Sequence, residues 1–337
     1  MSAQPIKVVC GGNRVGNREP FTTDTHLEEA LQILATHNVN TIDSAQAYGN
    51  SQATIGDVKI GDRFIIDTKW GPPRRPGAGP PQPGVPPAAW ATKEHIVNSA
   101  KDSIAKLGVQ QVDIFYIHMP DSQTPIAETL AGVDEVYKLG LFRRFGLSNY
   151  QATDVEAVYN HCAEQGYVLP TVYQGTYSPI TRYQETALFP TLRRLGIAFY
   201  AFSPSAGGFL GKTVAQIEES LKNPPAGPFR RRYAENPVFV SALAKWNAVA
   251  DEEGIRPAEL AYRAVAYHSA LKRELGDALI IGASSIEQLE ETLASIENGP
   301  LSEKAQKGVD EVWDLVKNEP PIRGFPPRPP QPSKEKE

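Results

Sequence analysis

The sequence predicts an α/β fold in which eight parallel strands close into a single-domain (β/α)8 TIM barrel, with long loops at its C-terminal rim. Eight short apolar runs alternate with amphipathic segments of helical period along the 337 residues. Alternating strands and helices are typical of a parallel sheet. Eight such units of roughly 30–40 residues each favour a closed barrel over an open sheet.

The strands are predicted from runs that are nearly continuous in apolar or β-branched residues, as expected for strands buried on both faces. These runs lie at 6–12, 39–45, 63–71, 111–120, 141–149, 170–178, 196–204 and 277–285. Helical periodicity predicts helices at 24–38, 92–107, 124–139, 151–165, 184–195, 257–273 and 286–297. Asp24 and Thr92 stand where N-caps of two of these helices are expected.

Two proline-rich segments interrupt the alternation of strands and helices. The segment 71–87 contains eight prolines directly after the third strand, which excludes a helix or a central strand there. We assign 1–319 to the barrel and 320–337 to a proline-rich tail whose last residues are expected to be disordered. The tail contains PPRPP, which also permits an SH3-like partner, but a wrapped tail is the favoured interpretation.

Composition indicates an ordinary globular protein, with 41% hydrophobic and 22% charged residues. The net charge is -5 and no long basic block occurs, so a nucleic-acid partner is not expected. Cys10 and Cys162 are too few and too far apart for a disulfide framework, and we expect reduced thiols. Neither a signal peptide nor a membrane-spanning run is recognisable, so a cytoplasmic location is expected.

Four polar residues fall at the predicted strand ends, where the chemistry of such barrels takes place. Asp43 ends the second strand and Tyr48 follows in the next loop, while Lys69 and His118 end the third and fourth strands. Each of them alone has an ordinary structural explanation, such as turn capping for Asp43. Their shared place on one rim favours a common catalytic role.

These residue types suit the reduction of a carbonyl group, whose oxygen must receive a proton. A free tyrosine has a pKa of about 10, and we expect the Lys69 ammonium to lower the pKa of Tyr48. Asp43 would keep Lys69 charged, and His118 would orient the carbonyl oxygen. One His and one Asp make a thin ligand set, so no metal is expected.

The stretches TIDSAQAYGNSQATIG, DTKWG, DIFYIHMPD and GLSNY resemble the aldo-keto reductases. Later stretches, 171–212 and 276–293, resemble the aflatoxin-aldehyde reductase branch of that family. The resemblance covers nearly the whole chain and implies a (β/α)8 barrel that reduces an aldehyde or ketone with NADPH. It also identifies a catalytic tetrad of Asp43, Tyr48, Lys69 and His118.

The resemblance further implies three groups of contacts with NADP(H), which we expect in preference to NAD. They surround the nicotinamide, the pyrophosphate and the adenosine 2′-phosphate. The positions are Ser148, Asn149, Gln174 and Tyr177 at the nicotinamide, Ser203, Gly207, Gly208, Leu210 and Lys212 at the pyrophosphate, and Gly282, Ser284, Ser285 and Gln288 at the 2′-phosphate. Glycines let backbone N–H groups approach phosphate, and helix N-termini attract it.

The sequence departs from this family at several positions. Ser44 and Gln52 stand where the family usually has Thr and Glu, and both changes leave the tetrad intact. Pro228 replaces an arginine that contacts the cofactor, and we expect Arg230, or another arginine of 230–232, to substitute for it.

Substrate contacts are expected from Trp70 and His118 beside the tetrad. Arg323 is the nearest match to a C-terminal arginine that faces the substrate in this branch. The 71–87 segment is longer than in related sequences and should overhang the mouth of the barrel.

Two other functions stay open at this point. A regulatory module similar to the potassium-channel β subunits would have the same fold and bind the same cofactor. An unrelated barrel, such as a phosphate-ester isomerase or a metal hydrolase, would not bind NADPH. A small carbonyl compound is the expected ligand, and a homodimer is compatible with the resemblance.

Overall fold

Eight parallel strands close into a barrel in the order in which they occur along the chain, which confirms the predicted fold. The first strand pairs with the last, with Val9 opposite Ile280. The strands are β1 (Lys7–Gly11), β2 (Thr41–Asp43), β3 (Ile65–Trp70), β4 (Val112–Ile117), β5 (Phe142–Ser148), β6 (Pro170–Thr176), β7 (Ala198–Phe202) and β8 (Ala278–Ile281). The computed structural model describes residues 4–22, 24–71, 90–222 and 228–320, without the side chains of Asp24 and 228–230.

Helices surround the barrel and also fill a long connection between β7 and β8. The α-helices are α1 (Asp24–Thr36), α2 (Ser51–Asp57), α3 (Lys93–Leu107), α4 (Ile126–Lys138), α5 (Ala152–Gln165), α6 (Gln184–Ala187), α7 (Phe189–Arg194), α8 (Val214–Lys222), α9 (Pro228–Ala234), α10 (Pro237–Glu253), α11 (Pro257–His268), α12 (Ile286–Glu297) and α13 (Glu303–Val316). Short 3-10 helices occupy Gly12–Arg14, Ile60–Asp62, Ala206–Gly211 and Arg273–Leu275.

Side chains alternate between the barrel interior and the layer beneath the helices. Along β3, Lys69 contacts Asp43 inside the barrel, whereas Trp70 belongs to the core shared with the helices. Because successive side chains of a strand point to opposite faces, every second residue of a strand faces the interior. In the pairing of β3 with β4, Lys69 lies beside Tyr116. Lys69 and Asp43 therefore lie together inside the barrel.

The predicted helices are present within two residues of their predicted limits, with two exceptions. The segment 184–195 divides into α6 and α7, because Leu188 leaves helical geometry with φ -130°. The helix predicted at 257–273 ends at His268. The N-cap prediction for Thr92 is confirmed, since its hydroxyl accepts a hydrogen bond from the His95 N–H.

The sequence prediction missed α10 and α13, which pack against each other as a second core beside the barrel. Both carry signals of helices. Asn236 caps α10, and the buried residues Phe239, Leu243 and Trp246 recur at helical spacing. Ser302 caps α13.

Several predictions lie outside the described residues. These are the path of the proline-rich segment beyond Gly71 and that of the tail beyond Pro320. Cys10 and Cys162 are both free cysteines, and Cys162 is buried. Within the described ranges, no helix combines the length and apolar character needed to cross a membrane.

Candidate active site

A buried ion pair lies at the C-terminal end of the barrel interior. Lys69 Nζ is 2.5 Å from Asp43 Oδ2, and the two side chains are 0% and 3% exposed. Lys69 Nζ also donates to the Ser44 carbonyl oxygen at 2.8 Å, and Gln174 Nε2 donates to Asp43 Oδ1 at 3.2 Å. These bonds satisfy both charges and fix the direction of the ammonium.

Tyr48 and His118 complete the cluster, so the structure brings together the four residues predicted as a tetrad. Lys69 Nζ lies 4.8 Å from the centroid of the Tyr48 ring, so the ammonium stands directly beside the phenol. The Tyr48 and His118 rings meet edge to face, with centroids 5.8 Å apart. The loop between β2 and α2 thus carries the phenol back over the ion pair.

The pKa of Tyr48 differs in direction from the expectation. Burial raises the pKa of Tyr48, and the neighbouring Lys69 ammonium opposes the shift without reversing it. Burial likewise raises the pKa of Asp43 against the opposing effect of Lys69. Burial disfavours the Lys69 ammonium, but Asp43 and Tyr48 together raise its pKa above the usual value. At neutral pH, Tyr48 holds its proton beside a charged lysine.

A groove of about 1120 Å³ opens from Asp43, Tyr48 and His118 and extends to the start of α12. Its volume exceeds that of typical pockets for small ligands, roughly 300–1,000 Å³, so it has room for an extended ligand. Most of the predicted cofactor positions line it. They are Ser148, Asn149, Gln174, Ser203, Gly207, Gly208, Lys212, Gly282, Ser284 and Gln288.

The loop after β7 has several residues in the left-handed region of backbone conformation. Gly207 and Gly208 have φ values of 67° and 91°, and a side chain at Gly208 would extend into open space. Ser203 and Ala206 also adopt the left-handed region, with φ 59° and 54°. The N–H groups of Ala206, Gly208 and Leu210 donate to the carbonyl oxygens of Ser203 and Ser205 within the loop. For non-glycine residues, left-handed conformations concentrate at functional sites.

Two features of the groove suit an anionic ligand: basic side chains and the N-terminus of α12. Lys212 and Arg14 line the groove. At its far end, the Ser284 N–H and hydroxyl both donate to Gln288 Oε1 at 2.6 Å, just before α12. The helix dipole suits a phosphate group, and the Ser284 donors could serve it once Gln288 moves aside. The residues present therefore fit a dinucleotide that carries phosphates.

Three predicted cofactor residues do not line the groove. Tyr177 is 1% exposed and stacks on Phe189, and its hydroxyl donates to Glu185 at 2.6 Å. The Leu210 side chain is fully buried in the second core. Ser285 caps α12 by accepting from the Gln288 N–H at 3.1 Å. The predictions for Tyr177 and Leu210 are therefore corrected, because their side chains point away from the groove.

Of the residues predicted to contact the substrate, His118 lines the groove and Trp70 does not. Trp70 is fully buried and packs against His95 of α3, which corrects its assignment as a pocket wall. Trp70 follows Lys69 on β3, and successive side chains of a strand point to opposite faces. Because Lys69 points into the barrel, Trp70 points toward the helices. The side chain of Arg230, and all of Arg323, lie outside the described residues.

Sequence reasoning missed the aromatic residues Phe202, Phe209 and Tyr262, which line the groove. Phe202 ends β7 immediately before Ser203 and packs against the residues of the barrel interior. The alternation of side chains along a strand could have identified Phe202. Gln174 of β6 faces the groove, so Thr176, two residues later, faces the same side. Thr176 pairs with Phe202 of β7. Asn13 and Arg14, in the loop after β1, were also missed.

A second carboxyl group lies inside the barrel, below the ion pair. Asp67 is fully buried, and its Oδ1 accepts from the Ile114 N–H at 3.1 Å. Within the described residues, its Oδ2 and the Tyr116 hydroxyl find no hydrogen-bond partner. Burial, together with Asp43 and Asp113, raises the pKa of Asp67 to about 8, although the cations Lys7 and Arg144 oppose the shift.

We expect this carboxyl group to make the protein less stable as the pH rises. Because the folded state keeps the Asp67 proton up to pH about 8 and the unfolded state releases it near pH 4, stability falls across that window by up to ~1.4 kcal/mol per unit. Asp67→Asn should flatten this dependence. Urea unfolding at pH 5 and pH 8 measures it, with the exposed Asp62→Asn as control. Parallel curves for wild type and Asp67→Asn would contradict the expectation.

Comparison with known proteins adds independent information. The sequence profile of the Aldo/keto reductase family matches residues 7–314. The oxidoreductase sirO of Leptosphaeria maculans is 36% identical over 299 residues, which cover 87% of each chain. Human aflatoxin B1 aldehyde reductase member 2 is 36% identical over 239 residues, or 68% of this chain and 67% of that protein.

A solved structure supports the fold. The glycerol dehydrogenase of Gluconobacter oxydans has a TM-score of 0.71 against this chain and covers 94% of both chains. Its sequence identity is 18%, so the likeness concerns the fold alone.

Proposed function

The chain belongs to the aldo/keto reductase family of oxidoreductases, and from this premise we propose that it reduces an aldehyde or ketone to an alcohol with NADPH. Tyr48 is the proposed general acid. One observation carries the proposal: the Tyr48 phenol stands beside the buried Lys69–Asp43 pair, at the inner end of a groove long enough for a dinucleotide.

NADPH, when bound, would supply the hydride that reaches the carbonyl carbon. Tyr48 would donate its proton to the carbonyl oxygen, which becomes the hydroxyl of the alcohol. The Lys69 ammonium favours this transfer because it stabilises the phenolate that remains. Asp43 keeps the ammonium charged and pointed at the phenol. His118 would bind the carbonyl oxygen and orient it toward Tyr48.

The cofactor would be held along the groove. Ser148, Asn149 and Gln174 lie nearest the tetrad and suit the carboxamide of the nicotinamide, with Phe202 as the stacking ring. We infer that Lys212 and the loop after β7 contact the pyrophosphate. Ser284 and Gln288 would then meet the adenosine 2′-phosphate, which favours NADPH over NADH.

The substrate class is proposed from the relatives. One of them is named as an aldehyde reductase, and the tetrad of this chain has the donors that a carbonyl oxygen requires. We therefore propose small aldehydes and 1,2-dicarbonyl compounds as substrates. A cytoplasmic location, where the two free thiols stay reduced, fits this proposal.

A steady-state panel of aldehydes, ketones and dicarbonyls with NADPH and with NADH tests the function. We expect cofactor oxidation with several aldehydes, and a kcat/KM at least about tenfold higher with NADPH, since a lost charged contact costs about 1.5–3 kcal/mol. Quenching of tryptophan fluorescence by NADPH without turnover would favour a regulatory binding module. Absence of quenching would contradict both functions.

A further inference from the structure

Asn17, an exposed residue in the loop between β1 and α1, uses both polar atoms of its carboxamide in hydrogen bonds to the backbone. Its Nδ2 lies 2.7 Å from the carbonyl oxygen of Tyr48, 2.9 Å from that of Val15 and 3.1 Å from that of Asn13. Its Oδ1 accepts from the Asn50 N–H at 2.9 Å. The carboxamide thus binds the backbone on both sides of Gly49.

The loop that carries Tyr48 fits closely against this carboxamide. Gly49 has φ 53°, and a Cβ there would overlap Asn17 Oδ1. Asn50 adds a weaker bond, from its Nδ2 to the Gly16 carbonyl oxygen at 3.4 Å. Glycine at 49 is therefore required both by the left-handed backbone and by the contact with Asn17.

Asn17 also connects Tyr48 to the groove. The Asn13 carbonyl oxygen is one of its acceptors, and Asn13 and Arg14 line the groove where the cofactor is proposed to bind. The other bonds of the Tyr48 backbone are local, from the Tyr48 N–H to Ala45 and from the Ser51 N–H to Tyr48. Within the described residues, the bond from Asn17 is the long-range hydrogen bond of the Tyr48 backbone.

We propose that Asn17 is a positioning residue, which sets the place of the Tyr48 phenol by holding its backbone against the loop that borders the groove. The inference rests on the proposed function, because it assumes that Tyr48 donates the proton. Reacting groups must be aligned closely, and a displacement of about 1 Å can cost about 10²-fold in rate. A loosened loop should therefore slow turnover more than it weakens binding.

The test uses Asn17→Ala and Asn17→Asp in the full chain. The aspartate keeps an acceptor for the Asn50 N–H but has no donor for the Tyr48 carbonyl. We expect both variants to lower kcat by about 10- to 100-fold, with KM and the Kd for NADPH changed less than about threefold. Asn50→Ala, which removes only the weak bond to Gly16, is the matched control and should keep kcat near the wild-type value.

Hydrogen–deuterium exchange provides a readout that does not depend on activity. In Asn17→Ala we expect faster exchange in the peptide 46–52 and unchanged exchange in β3 and β4. Unchanged exchange in 46–52, or an unchanged kcat in an active enzyme, would overturn the inference. Equal loosening across the barrel would also overturn it, because Asn17 would then have a general structural role. An inactive wild-type enzyme would refute the proposed function alone, and the exchange experiment would still decide whether Asn17 holds the loop.

Discussion

Replacement of Tyr48 by phenylalanine is expected to lower carbonyl reduction by about 10²–10⁴-fold, the usual contribution of a general acid. The phenol is the group placed to donate a proton at the inner end of the groove, beside Lys69. Phenylalanine keeps the ring and its edge-to-face contact with His118 but has no proton to give. Single-turnover reduction under saturating NADPH measures the loss directly.

Cofactor binding is the internal control for this variant. Tyr48→Phe should bind NADPH with a Kd close to that of the wild type, as fluorescence quenching would report, because the proposed phosphate contacts lie far along the groove. A variant that retains wild-type turnover would refute the role of Tyr48. A variant that loses turnover and cofactor binding together would point to a disturbed groove instead.

Removal of the buried cation should have the largest effect on stability. In Lys69→Met, the Asp43 carboxylate stays inside the barrel and, within the described residues, keeps the Gln174 amide as its side-chain hydrogen-bond partner. Loss of one partner of a buried ion pair typically costs about 3–5 kcal/mol. Chemical denaturation at pH 7 should show a loss of this size, together with loss of turnover.

The double variant Asp43→Asn/Lys69→Met separates the two consequences. It removes the uncompensated charge, so most of the stability should return, while activity stays lost because no ammonium stabilises the phenolate. The loss of stability caused by Lys69→Met should also become smaller as the pH is lowered toward 5. The reason is that the unpaired Asp43 has a raised pKa in the folded state, so its destabilising effect grows as pH rises. A double variant as unstable as the single one would contradict this account.

The pKa of Tyr48 illustrates how two physical effects compete in this site. A lysine next to a tyrosine favours the phenolate, and the sequence placed the two residues on one rim. The sequence did not reveal how deeply the pair is enclosed, and that enclosure decides the direction: burial raises the pKa of Tyr48. A protonated phenol is the form that an acid catalyst of carbonyl reduction needs at neutral pH.

The largest errors of sequence reasoning concerned the direction of single side chains. Tyr177 and Trp70 belong to the correct segments but point away from the groove, whereas Phe202 points toward it. Motif matching assigns a residue to a segment, yet successive residues of a strand face opposite sides. A shift by one position is enough to exchange a groove residue for a core residue.

The sequence by itself determined the barrel and the rim on which the tetrad stands. Apolar strand runs that alternate with helices leave few other topologies, and parallel strands bring their C-terminal ends to one edge. The spacing of Asp43, Tyr48, Lys69 and His118 relative to those ends therefore sufficed to bring them together.

The tertiary structure alone decided the depth of burial, the hydrogen bonds between loops and the choice of inward-facing residues. Asn17 shows the limit most clearly: it lies 31 residues before Tyr48, and no motif joins the two. Contacts between loops, and the desolvation of Asp67, depend on all the elements that surround a residue. Such quantities arise from the packed arrangement of the whole barrel, which local sequence patterns do not encode.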